Sequence, residues 1–343
     1  MNDSLPFFVA EVSANHNGSL AKAKKLIYTA KKNGADAVKI QSYSPSTMTL
    51  NSKKFYFKIK KGLWKNYYLW DLYKKAQTPF KWHKELFSYA KKINIKIFST
   101  PFDSSAVDIL EKLNCPIYKI ASFELTDLPL IKKVAQTKKP LILSTGMADL
   151  NEITDAVKVA RKYGCKNLTL LYCVSNYPSK IKNFNLNNIR LLKKKFKCKV
   201  GLSDHSTDNI VAISAVAAGA DMVEKHIALK NQKKGLDIEF SIRGPEIKKF
   251  KEDIVTAKKL LGSKSFKRDK SENASKIFRR SIIIVGDIKK GEKFSKKNIK
   301  VLRPNIGIQP KYFDNIIGKK SQFNFKKGNP LPIKVLKSLK IKK

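Results

Sequence analysis

Two histidines close neighbouring apolar runs in this chain. His205 ends Lys-Val-Gly-Leu-Ser-Asp-His at 199–205, and His226 ends Met-Val-Glu-Lys-His at 222–226. Both runs have strand length. The Ala/Val/Ile-rich segment between them, Asp208 to Ala220, reads as a buried helix. Parallel strands joined by such a crossover point the same way. The two imidazoles therefore fall at one mouth, spaced to share a divalent metal with positions open to water or substrate. One histidine so placed is ordinarily a satisfied core residue. Two at the same place on adjacent strands favour ligation.

Other strand ends carry chemistry as well. In chain order they present Glu11, Asn15 and His16; Lys39 and Gln41; Ser99 and Thr100; Lys119, Ser122 and Glu124. Ser144 and Thr145 follow, then Ser175 and Tyr177, then Ser203, Asp204 and His205, and finally Lys225 and His226. Each alone is explained by a helix cap or a solvated rim, but the set is not. Lys39 and Lys119 on inward-facing strands are costly to bury without an anion. Hydroxyls and backbone amides beside them complete a phosphate or carboxylate cradle. Glu124 and Tyr177 lie just past their strands, within reach of a bound molecule for proton transfer.

The elements that position these groups alternate. Strands are expected at 7–14, 37–43, 96–102, 117–122, 141–145, 168–175, 200–206 and 222–229. Helices separate them, and a last helix spans 245–261. Eight β/α units in about 260 residues predict a (β/α)8 TIM barrel. A doubly wound open sheet is the alternative, but no Gly-x-Gly-x-x-Gly follows a strand. An insertion at 45–78 is aromatic and basic, and a connection of that length reads as a lid over the site or as a surface ornament. Residues 1–262 form the expected barrel domain. A polar linker follows at 263–279, and a small, mainly β module punctuated by Gly and Pro occupies 280–343.

Composition bounds the function. The formal net charge is +44, with only seven arginines among 71 basic residues. Lysines dispersed over every amphipathic segment indicate solvated faces rather than a nucleic-acid surface, while the positive field suits an anionic small substrate. The four cysteines match no zinc or disulfide pattern. No apolar run is long enough to span a membrane, and the N-terminus has no signal-peptide pattern. A cytoplasmic protein with neither nucleic-acid nor membrane partner is expected.

Several motifs together resemble the sialic acid synthase family. They are Ala-Glu-Val-Ser-Ala-Asn-His-Asn-Gly-Ser (10–19), Val-Lys-Ile-Gln (38–41), Phe-Ser-Thr-Pro-Phe (98–102), Tyr-Lys-Ile-Ala-Ser-Phe-Glu (118–124), Leu-Ser-Thr-Gly-Met (143–147), Gly-Leu-Ser-Asp-His (201–205) and Glu-Lys-His (224–226). The tail, with Arg303-Pro304 and Gly-Lys-Lys at 318–320, resembles that family's SAF, or antifreeze-like, β-clip domain. The resemblance implies condensation of phosphoenolpyruvate with an N-acylated amino sugar to a nonulosonic acid and phosphate. It also implies a divalent metal (Mn, Mg or Co) and a domain-swapped homodimer. His205 and His226 match the metal ligands. Lys39, Thr100, Lys119, Ser122, Ser144 and Ser203 match positions around phosphoenolpyruvate. Glu11, Gln41, Tyr177 and Asp237 match acceptor-side positions, Glu124 a proposed acid/base, and Arg303 an arginine delivered into a partner's site. Asn15 and Ser175 join the expected substrate contacts; Ser175 replaces an Asn of the neuraminic branch. Gly-Leu-Trp-Lys (62–65) and Leu-Tyr-Lys-Lys-Ala-Gln-Thr-Pro (72–79) are more similar to the pseudaminic branch, which implies a 2,4-diacetamido-2,4,6-trideoxy-hexose acceptor. A barrel aldolase, a related phosphoenolpyruvate-using synthase and a charge-driven binder are the competing readings.

Overall fold

The computed structural model describes residues 5–263 and 265–342. Residues 1–4, Lys264 and Lys343, parts of the expected barrel domain, linker and tail module, lie outside the described residues. The chain divides into two compact units, Met1–Gly262 and Ser263–Lys343.

In the first unit, eight parallel strands run in chain order: β1 (Phe7–Glu11), β2 (Ala37–Ser42), β3 (Lys96–Pro101), β4 (Tyr118–Ile120), β5 (Leu141–Ser144), β6 (Leu168–Cys173), β7 (Lys199–Asp204) and β8 (Met222–Ala228). Each pairs with the next, and β1 pairs with β8, so the sheet closes into a barrel. A two-residue strand, β9 (Ile242–Arg243), adds to β8 outside the expected set. The strands read as nearly continuous apolar runs because both faces are covered, one by the barrel interior and the other by helices. Side chains such as Val9, Phe98, Leu143 and Leu202 are fully buried. The helices begin where the sequence supplies caps. The carboxylates of Asp103, Asp127, Asp149 and Asp208 each accept from a first-turn backbone N–H, and Asp149 forms a capping box with Glu152. Caps at the strand-to-helix turns set the angle at which each chain leaves the mouth.

Strand β4 is shorter than the 117–122 expected. Past Ala121 the backbone turns into a short 3-10 helix, Ser122–Glu124, whose first hydroxyl accepts from Gly146 N–H at 3.2 Å. The 45–78 insertion carries a helix over Leu69–Ala76 and a short helical turn at Pro45–Met48. No helix among the described residues is long and apolar enough to cross a membrane.

In the second unit, among the described residues, β10 (Ser281–Ile284) and β11 (Ile299–Leu302) form an antiparallel ladder. Single bridges such as Ile288 with Phe325 and Lys293 with Lys320 extend the pairing. Short turns leave little room for longer strands, and the core is small: Ile282, Ile284, Phe294, Ile299, Ile316 and Leu331. Within the expected linker, a 3-10 helix spans Lys270–Phe278.

Gly201 in β7 marks the tightest packing in the barrel wall. A Cβ there would lie 2.3 Å from the Met222 carbonyl oxygen and 2.8 Å from Leu171 Cδ2. Backbone cannot yield as a flexible side chain can, so Gly201→Ala is expected to destabilise the barrel by about 1–3 kcal/mol, measured by chemical denaturation.

Candidate active site

The floor of the site is a buried ion network that follows from strand register. Glu11 on β1 lies opposite Lys39 on β2, and Ser203 on β7 opposite Glu224 on β8, so these pairs share the inner face. Lys39 Nζ lies 2.5 Å from Glu11 Oε2 and 3.7 Å from Glu224 Oε2. Lys119 Nζ donates to Glu224 Oε1 at 3.2 Å, as does Ser203 Oγ at 3.0 Å. Lys39 also donates to Thr100 Oγ1 at 3.2 Å. Burial by itself would raise the Glu224 carboxyl; Lys119 and Lys39, with the hydrogen bonds from Lys119 and Ser203, outweigh it and hold it down to about 2. Glu11 goes the other way. Burial, reinforced by Glu224, pushes it up to about 7 against the pull of Lys39.

Above this floor stand the two imidazoles. The rings of His205 and His226 are 5.4 Å apart between centroids. His205 Nδ1 lies 3.3 Å from the Val174 carbonyl, which fixes the ring and leaves Nε2 for another partner. His226 Nδ1 is buried without a hydrogen bond, 3.7 Å from Asp237 Oδ2. Burial, with the positive charges nearby, drives His226 well below the usual imidazole range, so it is a neutral donor. Phe240 packs edge-on against both rings. Among the described residues no group of three His, Cys, Asp or Glu forms a ready cage. The donor set fits a divalent ion held by two imidazoles with remaining positions open, and the orphaned His226 nitrogen is the observation behind that fit.

The upper part of the site comes from the loops and the insertion. Glu124 is pushed up to about 7 by burial, partly offset by Lys119, and its Oε2 is buried without a partner. The Tyr177 ring lies 4.4 Å from His205 and 5.3 Å from Trp64 of the insertion. Trp64 Nε1 donates to the Leu236 carbonyl at 3.0 Å. Floor, imidazoles and insertion enclose one cavity of about 460 Å³.

That cavity brings together most of the residues singled out in the sequence: Lys39, Gln41, Thr100, Lys119, Ser122, Glu124, Tyr177, Ser203, His205, His226 and Asp237 all line it. Five others do not. Glu11 is fully buried behind Lys39 as its counter-ion. Asn15 ties the first loop down by donating to the Ile227 carbonyl and Ser241 Oγ at 2.9 and 2.8 Å. Ser144 is fully buried with its hydroxyl unpaired. Ser175 lies off the lining, beside Gly146, where a Cβ would come within 2.1 Å of its Oγ. Arg303 is an exposed residue of the second unit. His16, also at a strand end, packs edge-on against Trp82, and burial lowers it to about 4. Asp204 and Lys225, read with the mouth residues, pair instead with each other at 2.9 Å on the outer face, because they alternate with Ser203, His205, Glu224 and His226.

Sequence reasoning missed Glu224, which lines the cavity and holds both lysines. The period-two rule was the available signal: if His226 points inward, so does Glu224. Ser13, Tyr43 and Phe240 also line the cavity from short or irregular segments, and Tyr73 lines it from the Leu69–Ala76 helix, at helical spacing with Leu69, Leu72 and Ala76.

A closed parallel barrel with a cation pair facing an imidazole pair at the carboxyl ends of its strands has the layout of a barrel enzyme that handles an anionic substrate. The chain belongs to the NeuB family, whose profile matches residues 26–266; a SAF domain profile matches residues 279–336. A pseudaminic acid synthase of Helicobacter pylori is 45% identical over 95% of this chain and 96% of its own length. An N,N'-diacetyllegionaminic acid synthase of Campylobacter jejuni is 40% identical over 93% of this chain and 96% of its own. Among solved structures, an N-acetylneuraminic acid synthetase from Leptospira borgpetersenii superposes with a TM-score of 0.72 at 31% identity, covering 80% of this chain and 91% of its own.

Removing Glu224 leaves Lys119 buried without its carboxylate. Glu224→Ala is expected to cost about 3–5 kcal/mol of stability, with Glu224→Gln costing less, read from denaturant midpoints.

Proposed function

We propose that this protein is a pseudaminic acid synthase: a transferase that condenses phosphoenolpyruvate with the open-chain aldehyde of 2,4-diacetamido-2,4,6-trideoxy-β-L-altropyranose, giving a nonulosonic acid and phosphate. One observation carries the reading. Lys39 and Lys119 line the same cavity as His205 and His226, in a chain 45% identical to a pseudaminic acid synthase. A phosphate-bearing anion and a carbonyl acceptor need cationic and ligating groups within one site. The enol carbon of phosphoenolpyruvate bonds to the aldehyde carbon as the carbonyl π pair moves onto the aldehyde oxygen, which takes up a proton. Water adds at the cationic C2, and the tetrahedral adduct expels phosphate.

This chain's residues serve those events by position and charge. Lys39 and Lys119, with hydroxyls of Thr100, Ser122 and Ser203, hold the anion in a site shielded from water, where ionic contacts are stronger. Ser144 and Glu11 support that shell from behind. Glu124, which titrates near neutrality, takes the proton from the attacking water. Tyr177, Gln41 and Asp237 meet the acceptor. His205 and His226 would hold a divalent ion (Mn, Mg or Co), which supplies Lewis acidity toward a carbonyl oxygen. Arg303, exposed on the tail unit, serves a second copy's site in a domain-swapped homodimer, and the setting is cytoplasmic. The legionaminic relative at 40% identity favours one alternative, a synthase for a different N-acyl amino sugar.

Incubation with phosphoenolpyruvate, each divalent metal and a panel of N-acyl aminohexoses tests the reading. Phosphate release and a matching product mass with the 2,4-diacetamido-6-deoxy sugar are expected, and release without a sugar, or with none of the panel, would refute it. His205→Ala and His226→Ala should each abolish turnover after chelation and metal add-back.

The Glu124 carboxyl gives a pH signature. Acting as a base, it should make kcat fall as pH drops below about 7, and Glu124→Gln should lower kcat by about 10²–10⁴-fold. Stability moves oppositely. A carboxyl whose folded value is raised binds its proton more tightly when folded, so wild-type stability declines as pH rises from the ordinary carboxylate range through about 7. Glu124→Gln lacks that decline, so its melting temperature should gain on wild type between pH 5 and pH 8.

A further inference from the structure

Four histidines occur in the chain, and two of them, His16 and His83, stand outside the cavity lining. Both are fully buried, and both meet the point where the insertion rejoins the barrel. His16, in the turn after β1, accepts from Gly18 N–H through Nδ1 at 3.1 Å. Its proton is therefore on Nε2, which lies 3.4 Å from Thr78 Oγ1. His83, on the helix Phe80–Lys92, places Nδ1 3.2 Å from the Pro79 carbonyl. A carbonyl only accepts, so here the proton is on Nδ1, and Nε2 accepts from Ser42 Oγ at 2.6 Å. Burial lowers both rings to about 4, so each is neutral with one N–H to give.

Ser42 ends β2 just before the insertion departs, and Thr78 closes the insertion. One imidazole thus joins departure to return, and the other holds the return to the β1 turn. Ser42 Oγ also lies 2.6 Å from Ser99 Oγ on β3, which anchors the join across two strands. The next residue, Tyr43, meets the Tyr73 ring edge-on at 5.9 Å. Tyr73 lines the cavity from the insertion helix with Leu69, Leu72 and Ala76, and that helix stops just short of Thr78. Only Leu72 of the helix is buried, so its own packing is thin and its end anchors decide how far it moves. We infer that His16 and His83 are positioning residues: together they clamp the two ends of the insertion and so fix where its helix stands over the active site. The insertion reaches the acceptor side through Trp64, whose ring leans on Tyr177. A loosened clamp would therefore be felt by the acceptor before the anion, a consequence that rests on the synthase reading.

Hydrogen exchange on the full chain, beside kinetics with both substrates, tests the clamp. His83→Ala and Thr78→Val should each speed amide exchange over Leu69–Ala76 by about fivefold or more, the scale of one buried hydrogen bond. The helix Leu150–Lys162, elsewhere on the barrel, should exchange as in wild type. KM for the acceptor should rise by about tenfold, with KM for phosphoenolpyruvate within about twofold. Thr78→Ser keeps the hydroxyl and should behave as wild type. Should His83→Ala fail to melt cooperatively, Ser42→Ala, which removes one oxygen, takes its place. Unchanged exchange over Leu69–Ala76, equal acceleration in both helices, or an acceptor KM unmoved while the insertion helix loosens would overturn the inference. Absence of wild-type phosphate release with every sugar would overturn the synthase reading instead, and the exchange result then decides the clamp by itself.

Discussion

Lys39 and Lys119 carry ammonium groups into a barrel interior where neither is more than 5% exposed. Taking such an ion out of water costs several kcal/mol even after the surroundings relax. Glu11 and Glu224 offset that cost, and strand register puts them there: Glu11 opposite Lys39, and Glu224 opposite Ser203, whose hydroxyl it accepts. The four groups form a network that is neutral when both carboxyls are ionised. Strand identity, cavity polarity and the placing of the imidazoles above the floor all depend on this pairing.

The pairing also divides labour between the carboxylates. Glu224, gripped by two ammoniums and a hydroxyl, stays ionised, while Glu11, deeper and repelled by it, is eased toward neutrality. Glu124 stands apart in an irregular turn with one oxygen unsatisfied. Three carboxyls within one site thus have three environments, the usual way a single scaffold keeps one group charged and another ready to exchange a proton.

The barrel was legible because buried parallel strands leave apolar runs of regular spacing, separated by helices. The lysines and histidines stood out as charged or ligating groups where the pattern called for apolar ones. Alternation was applied less strictly, so Lys225 and Asp204 were read with the mouth and Glu224 was passed over. Asn15 was read by position, and its side chain ties down the first loop through the Ile227 carbonyl and Ser241 Oγ. The insertion carries a helical period only over Leu69–Ala76, where Leu69, Leu72, Tyr73 and Ala76 share one face. Its role becomes visible only when Trp64 and Leu236, far apart in sequence, are seen joined. In the tail, Gly and Pro were read as turn punctuation of a small β module, and they separate the short antiparallel pairings found there.

Strand β8 carries two chemistries in adjacent positions: Glu224 and His226 inward, Lys225 outward on Asp204. Deleting or inserting one residue upstream would rotate the run by half a period. An ammonium would then enter the floor beside Lys39 and Lys119, and a carboxylate and an imidazole would be driven among the surrounding helices. Point substitutions along this strand can be graded in effect, but a change of length cannot. Descendants of this chain must therefore inherit the eighth strand residue for residue in phase.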